Sequence, residues 1–381
     1  MGIELCLDGA RVLRPEGWDA APLAISGGVI ADAPVGRRVD LAGFDVLPGI
    51  VDLHGDGFER HMAPRRGALR EAGSGVRACA AELAANGITT AVLAQFFSWE
   101  GGMRGPEFAE HVFESVAEVA PTVATDLRLQ LRLETHLLDD YARAEAAVAR
   151  FAIPYVVFND HLPHDRLAEG RRPPRLTGQA LKAGRNPDAH FEMLLALESR
   201  AAEVPGALDG LCARLAQTGV RLGSHDDPTP EVRAAWRGRG VVIAEFPETA
   251  EVAEAAVAAS EPVILGAPNL VRGASHKGNV SALDLVEAGL VTALASDYHY
   301  PSPLRAAQRI VELGVAGMAQ AWALLASGPA SVLGLQDRGA LVPGRCADLL
   351  VLERDTQRVA ACFARGEITY LTGPLGARLL G

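Results

Sequence analysis

The stretch "DLRLQLRLETH", residues 126–136, alternates apolar and polar residues. Leu127, Leu129, Leu131 and Leu133 share one face and Arg128, Gln130, Arg132 and Glu134 the other, which is the two-residue period of an extended strand. Apolar runs at 48–53, 88–94, 154–158, 220–223, 241–245, 262–266 and 290–296 bring the strands of the central chain to eight. Between them lie segments such as "ALREAGSGVRACAAELAANG" and "GALDGLCARLAQTG", with apolar residues at helical spacing and a glycine stop. Eight β–α alternations predict an α/β fold, a (β/α)8 barrel. A doubly wound sheet is the competing arrangement. In a barrel the four leucines meet the helices, and the polar set points inward with Glu134 at the rim.

The two ends read differently. "IELCLDGARVL", "LAISGGVIAD" and "RRVDLAGFDVL" are short strand-like runs broken by turns, and "GRCADLLVLERD" and "VAACFARGEITYLTG" repeat the style at the far end. Residues 1–46 and 337–381 are therefore expected to build one small β-sandwich domain around a barrel of 47–336. The Arg-, Pro- and Gly-rich stretch 165–190 reads as a loop or lid.

Composition narrows the class. With 381 residues, 49% of them hydrophobic, the chain can bury one large core and a smaller one. A formal net charge of −11 argues against a nucleic-acid partner but leaves room for a local basic pocket. Cys6, Cys79, Cys212, Cys346 and Cys362 are far apart and form no C-x-x-C, so neither a disulfide framework nor a zinc knuckle is expected. The first residues carry no basic, then apolar, leader, and no window of about 20 apolar residues is free of charge. The expectation is a cytoplasmic protein without a membrane partner, and homo-oligomerisation stays open.

The chemistry gathers at strand ends. In "VLPGIVDLHGDGFERH", residues 46–61, His54 and Asp56 follow the first strand. Glu134 and then His136 follow the third; Asp160 and His161 the fourth; His225, Asp226 and Asp227 the fifth; Asp297 and His299 the last. The C-terminal rim of a barrel is where catalytic residues belong. Each residue alone has a plain alternative: a chance H-x-D, a solvated rim glutamate, a capping histidine. "SHDDPT" also reads as a helix start capped by Asp226 or Asp227. Jointly, His54, Asp56, Glu134, His161, His225 and Asp297 offer six nitrogen and oxygen donors, enough for two divalent ions that share a carboxylate. Zinc comes first, with manganese, iron or nickel as alternatives; His136, His164, Asp226 and His299 are left without an assigned part. A water deprotonated by Asp297 then attacks an electrophilic centre. For an anionic substrate, the Gly-rich "NLVRGASHKGN" after the seventh strand offers Arg272, His276 and Lys277, and Arg65 lies in the first loop.

At these residues the sequence resembles the amidohydrolase superfamily of metal-dependent barrel hydrolases: "LPGIVDLHGD" at the first strand and "PASVLGLQDRGALVPGRCADLLVL" at the return to the small domain. In many members a carboxylated lysine bridges the metals. The lysines here, Lys182 and Lys277, end no expected strand, and Glu134 fits the glutamate that replaces it elsewhere. "HGDGFERHMAPRRG", "SHDDPT", "AEFPETAEVAEAA", "GAPNLVRGASHKGNVSALDLVEAGL" and "ASDY" are similar to one branch, the alkylphosphonate-utilisation M family of the carbon–phosphorus lyase pathway. That resemblance implies a diphosphatase that removes pyrophosphate from a small phosphorylated substrate, ribose 1-methylphosphonate 5-triphosphate. "NDHLPHDRLAEG" departs from the family's polar Gly-Gln-Arg-Gln-like run, Gly57-Phe58 and Lys277 differ from its habit, and Leu133 replaces its cysteine. A C–N hydrolase of the same fold and a non-catalytic barrel are the rival expectations.

Overall fold

The computed structural model describes residues 3–63, 71–273 and 280–380. Its central sheet has eight strands: β1 (Ile50–Gly55), β2 (Ile88–Phe97), β3 (Asp126–Glu134), β4 (Tyr155–Asn159), β5 (Arg221–His225), β6 (Ile243–Glu245), β7 (Val263–Gly266) and β8 (Ala293–Ala295). They lie side by side in chain order. A parallel bridge between Gly55 and Asp297 brings the first strand to the residues that follow the last. With helices between the strands, this is the expected (β/α)8 barrel, and the doubly wound alternative falls away. All ten residues of β2 are buried, as a parallel strand covered on both faces requires.

Helices start where side chains can take up their free amides. Thr229 accepts from the Val232 amide before the helix Pro230–Gly238, and Thr249 and Ser281 do the same for Ala250–Ala258 and Ala282–Glu287. The "SHDDPT" cap is therefore Thr229, not Asp226 or Asp227. The expected lid at 165–190 is also corrected. It holds the helices His164–Ala168 and Leu176–Lys182 and the start of Pro187–Ser199. Leu162, Leu167, Leu176 and Leu194 bury together with Trp99. Those widely spaced leucines anchor the segment in spite of its Arg, Pro and Gly content.

The chain termini meet in two sheets. One orders Val29–Ala31, Leu23–Ser26, Leu5–Asp8 and Arg37–Asp40; the other orders Glu367–Leu371, Val359–Ala364, Leu349–Glu353, Phe44–Pro48, Arg11–Arg14 and Gly17–Asp19. Strand Leu349–Glu353 pairs antiparallel with Phe44–Pro48, Leu350 opposite Leu47. Leu5, Ile25 and Val39 of the first sheet share a core with Val46, Val351 and Phe363 of the second. No helix among the described residues is long and apolar enough to cross a membrane.

By contact density the chain forms two compact units. The first comprises Met1–Leu93, Glu118–Arg128 and Pro262–Gly381, and the second Ala94–Ala117 and Leu129–Glu261.

Candidate metal centre

In the first unit His54 is the fifth residue of β1 and fully buried, and Asp56 lies just beyond the strand. The Asp297 amide donates to the His54 carbonyl at 2.9 Å, and the Asp56 amide to the Asp297 carbonyl at 3.0 Å. This lacing holds the three side chains together: one ligand atom from each lies within 4.8 Å of the others. The small residue of the H-x-D tripeptide has a physical reason. A Cβ on Gly55 would sit 2.8 Å from both Asp52 Oδ2 and the Tyr300 ring. Asp52 is buried and accepts from the Ser296 amide (2.8 Å) and hydroxyl (2.6 Å), so it ties β1 to the residue before Asp297. Burial pushes the Asp52 carboxyl up, and its bonds to Ser296 oppose that.

In the second unit Glu134 ends β3, fully buried. It accepts from the His161 amide at 3.2 Å and lies 2.5 Å from His161 Nδ1. Burial disfavours charge on His161, but the hydrogen bond to Glu134 and its charge outweigh burial and raise the imidazole. Glu100 joins these two in a second cluster of convergent ligand atoms. His225 ends β5, and Glu245 ends β6 opposite it in register. His225 Nδ1 is 3.0 Å from Glu245 Oε2, while Gln130 and the Tyr155 hydroxyl each donate to Glu245 Oε1 at 3.0 Å. A Cβ at Gly223 would crowd that hydroxyl at 2.8 Å.

The contacts fix the His225 tautomer. Glu245 can only accept, so Nδ1 donates; the Arg132 guanidinium, which can only donate, lies 3.1 Å from Nε2. The ring is neutral, with Nε2 carrying the lone pair a metal would use. Burial pushes His225 down to about 4, Arg132 adds to this, and Glu245 opposes both. The folded imidazole is thus harder to protonate than the unfolded one, near 6.5. Its contribution to stability is present above the unfolded value and is lost as pH falls through 6.5 toward 4. In metal-free protein we expect up to roughly 3 kcal/mol of pH-dependent stability over that window. Urea unfolding at several pH values checks this: His225→Gln should flatten the slope, and an unchanged slope would refute the assignment.

Backbone strain marks the same strand ends. Asp226 (φ 57°), Phe246 (φ 55°) and Asp297 (φ 55°) each adopt a left-handed conformation just after His225, Glu245 and Ser296. Such positions are uncommon outside glycine and persist where the surroundings over-determine them.

Of the remaining residues singled out in the sequence, Arg272 ends a short helix, Ala267–Arg272, and is exposed there next to the left-handed Gly273 that caps it. Arg65, His276 and Lys277 lie outside the described residues. Lys182 ends the helix Leu176–Lys182, away from any strand end. His299 is exposed, whereas His136 is buried beside Asp160 and His164. Four residues were missed: Glu100 and Arg104, which no strand end marked, Glu245, absorbed into an apolar run ending in carboxylate, and Arg132, whose inward place the alternation of β3 already gave. Arg132 is nearly buried, donates to Asn159 Oδ1 at 3.1 Å and lies 3.9 Å over the Phe96 ring; Arg104 lies 4.0 Å over that ring and pairs with Glu100 at 3.0 Å.

No family model matches the chain. Among solved structures it is similar to an amidohydrolase from a Sargasso Sea environmental sample, with TM-score 0.64, 15% identity, and 97% of this chain and 93% of that one covered. It is also similar to N-acetylglucosamine-6-phosphate deacetylase from Pasteurella multocida, with TM-score 0.64, 11% identity, and 96% and 99% covered. At such identities the likeness is one of fold, the (β/α)8 barrel with its small β domain. Sequence carries the assignment further. Over 331 residues the chain is 33% identical to alpha-D-ribose 1-methylphosphonate 5-triphosphate diphosphatase of Escherichia coli (strain K12), a match covering 85% of this chain and 87% of that protein. The chain belongs to the family of that diphosphatase.

Proposed function

We propose that this protein is a metal-dependent diphosphatase that releases pyrophosphate from alpha-D-ribose 1-methylphosphonate 5-triphosphate. The observation that carries the reading is the 33% identity to a diphosphatase of that name over 85% of the chain. The barrel of 47–336 holds the chemistry in this reading, and 1–46 with 337–381 form the small supporting domain.

The donor chemistry fits divalent ions. Imidazole nitrogens and carboxylates converge in His54–Asp56–Asp297 and in Glu100–Glu134–His161, without a thiolate. His225 offers a neutral nitrogen oriented by a carboxylate, the arrangement usual behind a metal-ligating histidine. We assign two ions, zinc first, to His54, Asp56, Glu134, His161, His225 and Asp297, with Glu134 shared. When bound, such ions act as Lewis acids toward phosphoryl oxygens and make water acidic near neutral pH.

The chain's own groups do the rest. Asp297, half-buried beside Asp56, takes the proton of the attacking water. Water adds to the α-phosphorus and the bond to the β-bridging oxygen breaks, so pyrophosphate leaves as one unit and the 5-monophosphate remains. Arg132 and Arg104, on the Phe96 ring, offer a pair of guanidinium groups for the phosphate charge. Arg65, Arg272, His276 and Lys277 are further candidates for the anionic tail.

Phosphorus NMR of the products tests the reading. Pyrophosphate without free orthophosphate is expected; stepwise orthophosphate would put the cut at another bond. Silence on the triphosphate with turnover of a cyclic amide or amine would replace the reading by a C–N hydrolase. Arg132→Gln should lower kcat/KM by roughly tenfold to a hundredfold, the loss of one charge-assisted contact of about 1.5–3 kcal/mol. Its metal content should stay at the wild-type level; unchanged kcat/KM would remove Arg132 from the substrate site.

A further inference from the structure

A second ligand cluster in the second unit is not used by the proposed reaction. His136 lies two residues past β3, Asp160 follows β4, and His164 opens the helix His164–Ala168. One ligand atom from each lies within 4.8 Å of the other two. His164 Nε2 is 3.0 Å from both Asp160 oxygens, and His136 Nδ1 is 3.5 Å from Asp160 Oδ1. On its other side His164 Nδ1 is 2.7 Å from Glu198 Oε2, carried by the helix Pro187–Ser199. The Thr135 hydroxyl is 3.2 Å from His136 Nδ1.

We propose that His136, Asp160 and His164 bind a further divalent transition-metal ion, with Glu198 orienting His164 behind it. Three points carry this. The donor types are two imidazoles and a carboxylate, which suit zinc, cobalt, nickel or manganese and not the hard, all-oxygen ions. The separations suit one ion: four ligands about 2.1 Å from zinc stand about 3.4 Å apart, against 3.0 and 3.5 Å here. The Glu198–His164 pair reproduces the carboxylate–histidine arrangement that fixes a ligating ring, leaving Nε2 for the ion. His136 is buried while Asp160 and His164 are 42% and 40% exposed in their side chains. The site is therefore anchored on one side and open to water on the other, so solvent can complete the coordination.

The competing state has a proton in the metal's place: an imidazolium at His164 clamped between Asp160 and Glu198. Metal counting separates the two. Chelator-treated full-length protein is titrated with cobalt(II), followed by visible absorption, and in parallel dialysed against zinc and analysed for metal. Wild type should hold one ion more per chain than His164→Asn or His136→Asn. His54→Asn, which strikes the proposed catalytic centre, should keep that ion, so failure of the catalytic assignment and failure of this one are distinguishable. Glu198→Gln should bind the ion 10- to 100-fold more weakly, as a lost orienting partner typically does. An unchanged count in His164→Asn overturns the site, and wild-type affinity in Glu198→Gln overturns the orienting role. Should His164→Asn fail to fold, Asp160→Asn decides by the same count.

Discussion

Glu134→Ala is expected to lose at least one of the two divalent ions proposed for the catalytic centre and to lower kcat/KM by about 10³-fold or more, roughly 4 kcal/mol of transition-state stabilisation. The expectation rests on a fully buried carboxylate at the end of a barrel strand, with both oxygens aimed at His161. A plain structural role is the rival: Glu134 could serve only to order the turn after β4. The two differ in what Glu134→Gln does. An ordering role survives in part, because the amide oxygen still accepts from the His161 backbone. A bridging role does not, because a neutral amide is a poor ligand for two ions. Metal analysis after dialysis, run beside steady-state kinetics, decides. A metal count and affinity equal to wild type in Glu134→Ala would remove Glu134 from the centre.

The barrel was legible because burial leaves a plain mark on parallel strands: "ITTAVLAQFF" and "YVVFN" are predominantly apolar and buried along their whole length, and the alternation of β3 named its inward face. Candidate ligands at strand ends, such as His54 and Glu134, stood out against it. Glu245 did not, because β6 has three residues and its carboxylate reads as the polar edge of a short run. What singles it out is pairing with His225 across the register, which only strand alignment supplies. Arg132 was placed but not valued: an inward arginine reads as a strand residue until Phe96, Asn159 and His225 are seen around it. The segment 165–190 misled for the opposite reason. Its composition is that of a loop, while four leucines spread over more than thirty positions bury it. Long spacings of that kind carry no local periodicity.

The other large effect is expected at Arg233, on the helix Pro230–Gly238 and completely buried. Its guanidinium donates to the Ser224 hydroxyl at 2.8 Å, to Asp227 at 3.1 Å and to the Ile243 carbonyl at 3.1 Å, and it also reaches the Val241 carbonyl. Glu261 lies 3.2 Å from its Nε and is shared with Arg237. One side chain thus ties the end of β5, next to His225, to the start of β6, which leads to Glu245. Arg233→Met keeps much of the length and the apolar stem but takes the cationic donor from Asp227, which keeps only the Ser224 hydroxyl, and a donor from two carbonyls. Breaking a buried pair on one side typically costs about 3–5 kcal/mol, most of it the uncompensated charge left behind. Glu261 retains Arg237, so the deficit centres on Asp227. Burial already pushes the Asp227 carboxyl up, against the pull of Ser224 and Arg233, and losing Arg233 pushes it further. An aspartate raised in the folded state destabilises it when ionised, so the penalty is full above the folded value and fades as pH falls toward the unfolded value near 3.9. Denaturant unfolding of Arg233→Met should therefore show a deficit of about 3–5 kcal/mol near pH 7 that shrinks on acidification. Adding Asp227→Asn should recover part of it at neutral pH. A deficit below about 1 kcal/mol, the range of exposed pairs, and independent of pH would mean that Arg233 does not brace the His225 end of the barrel.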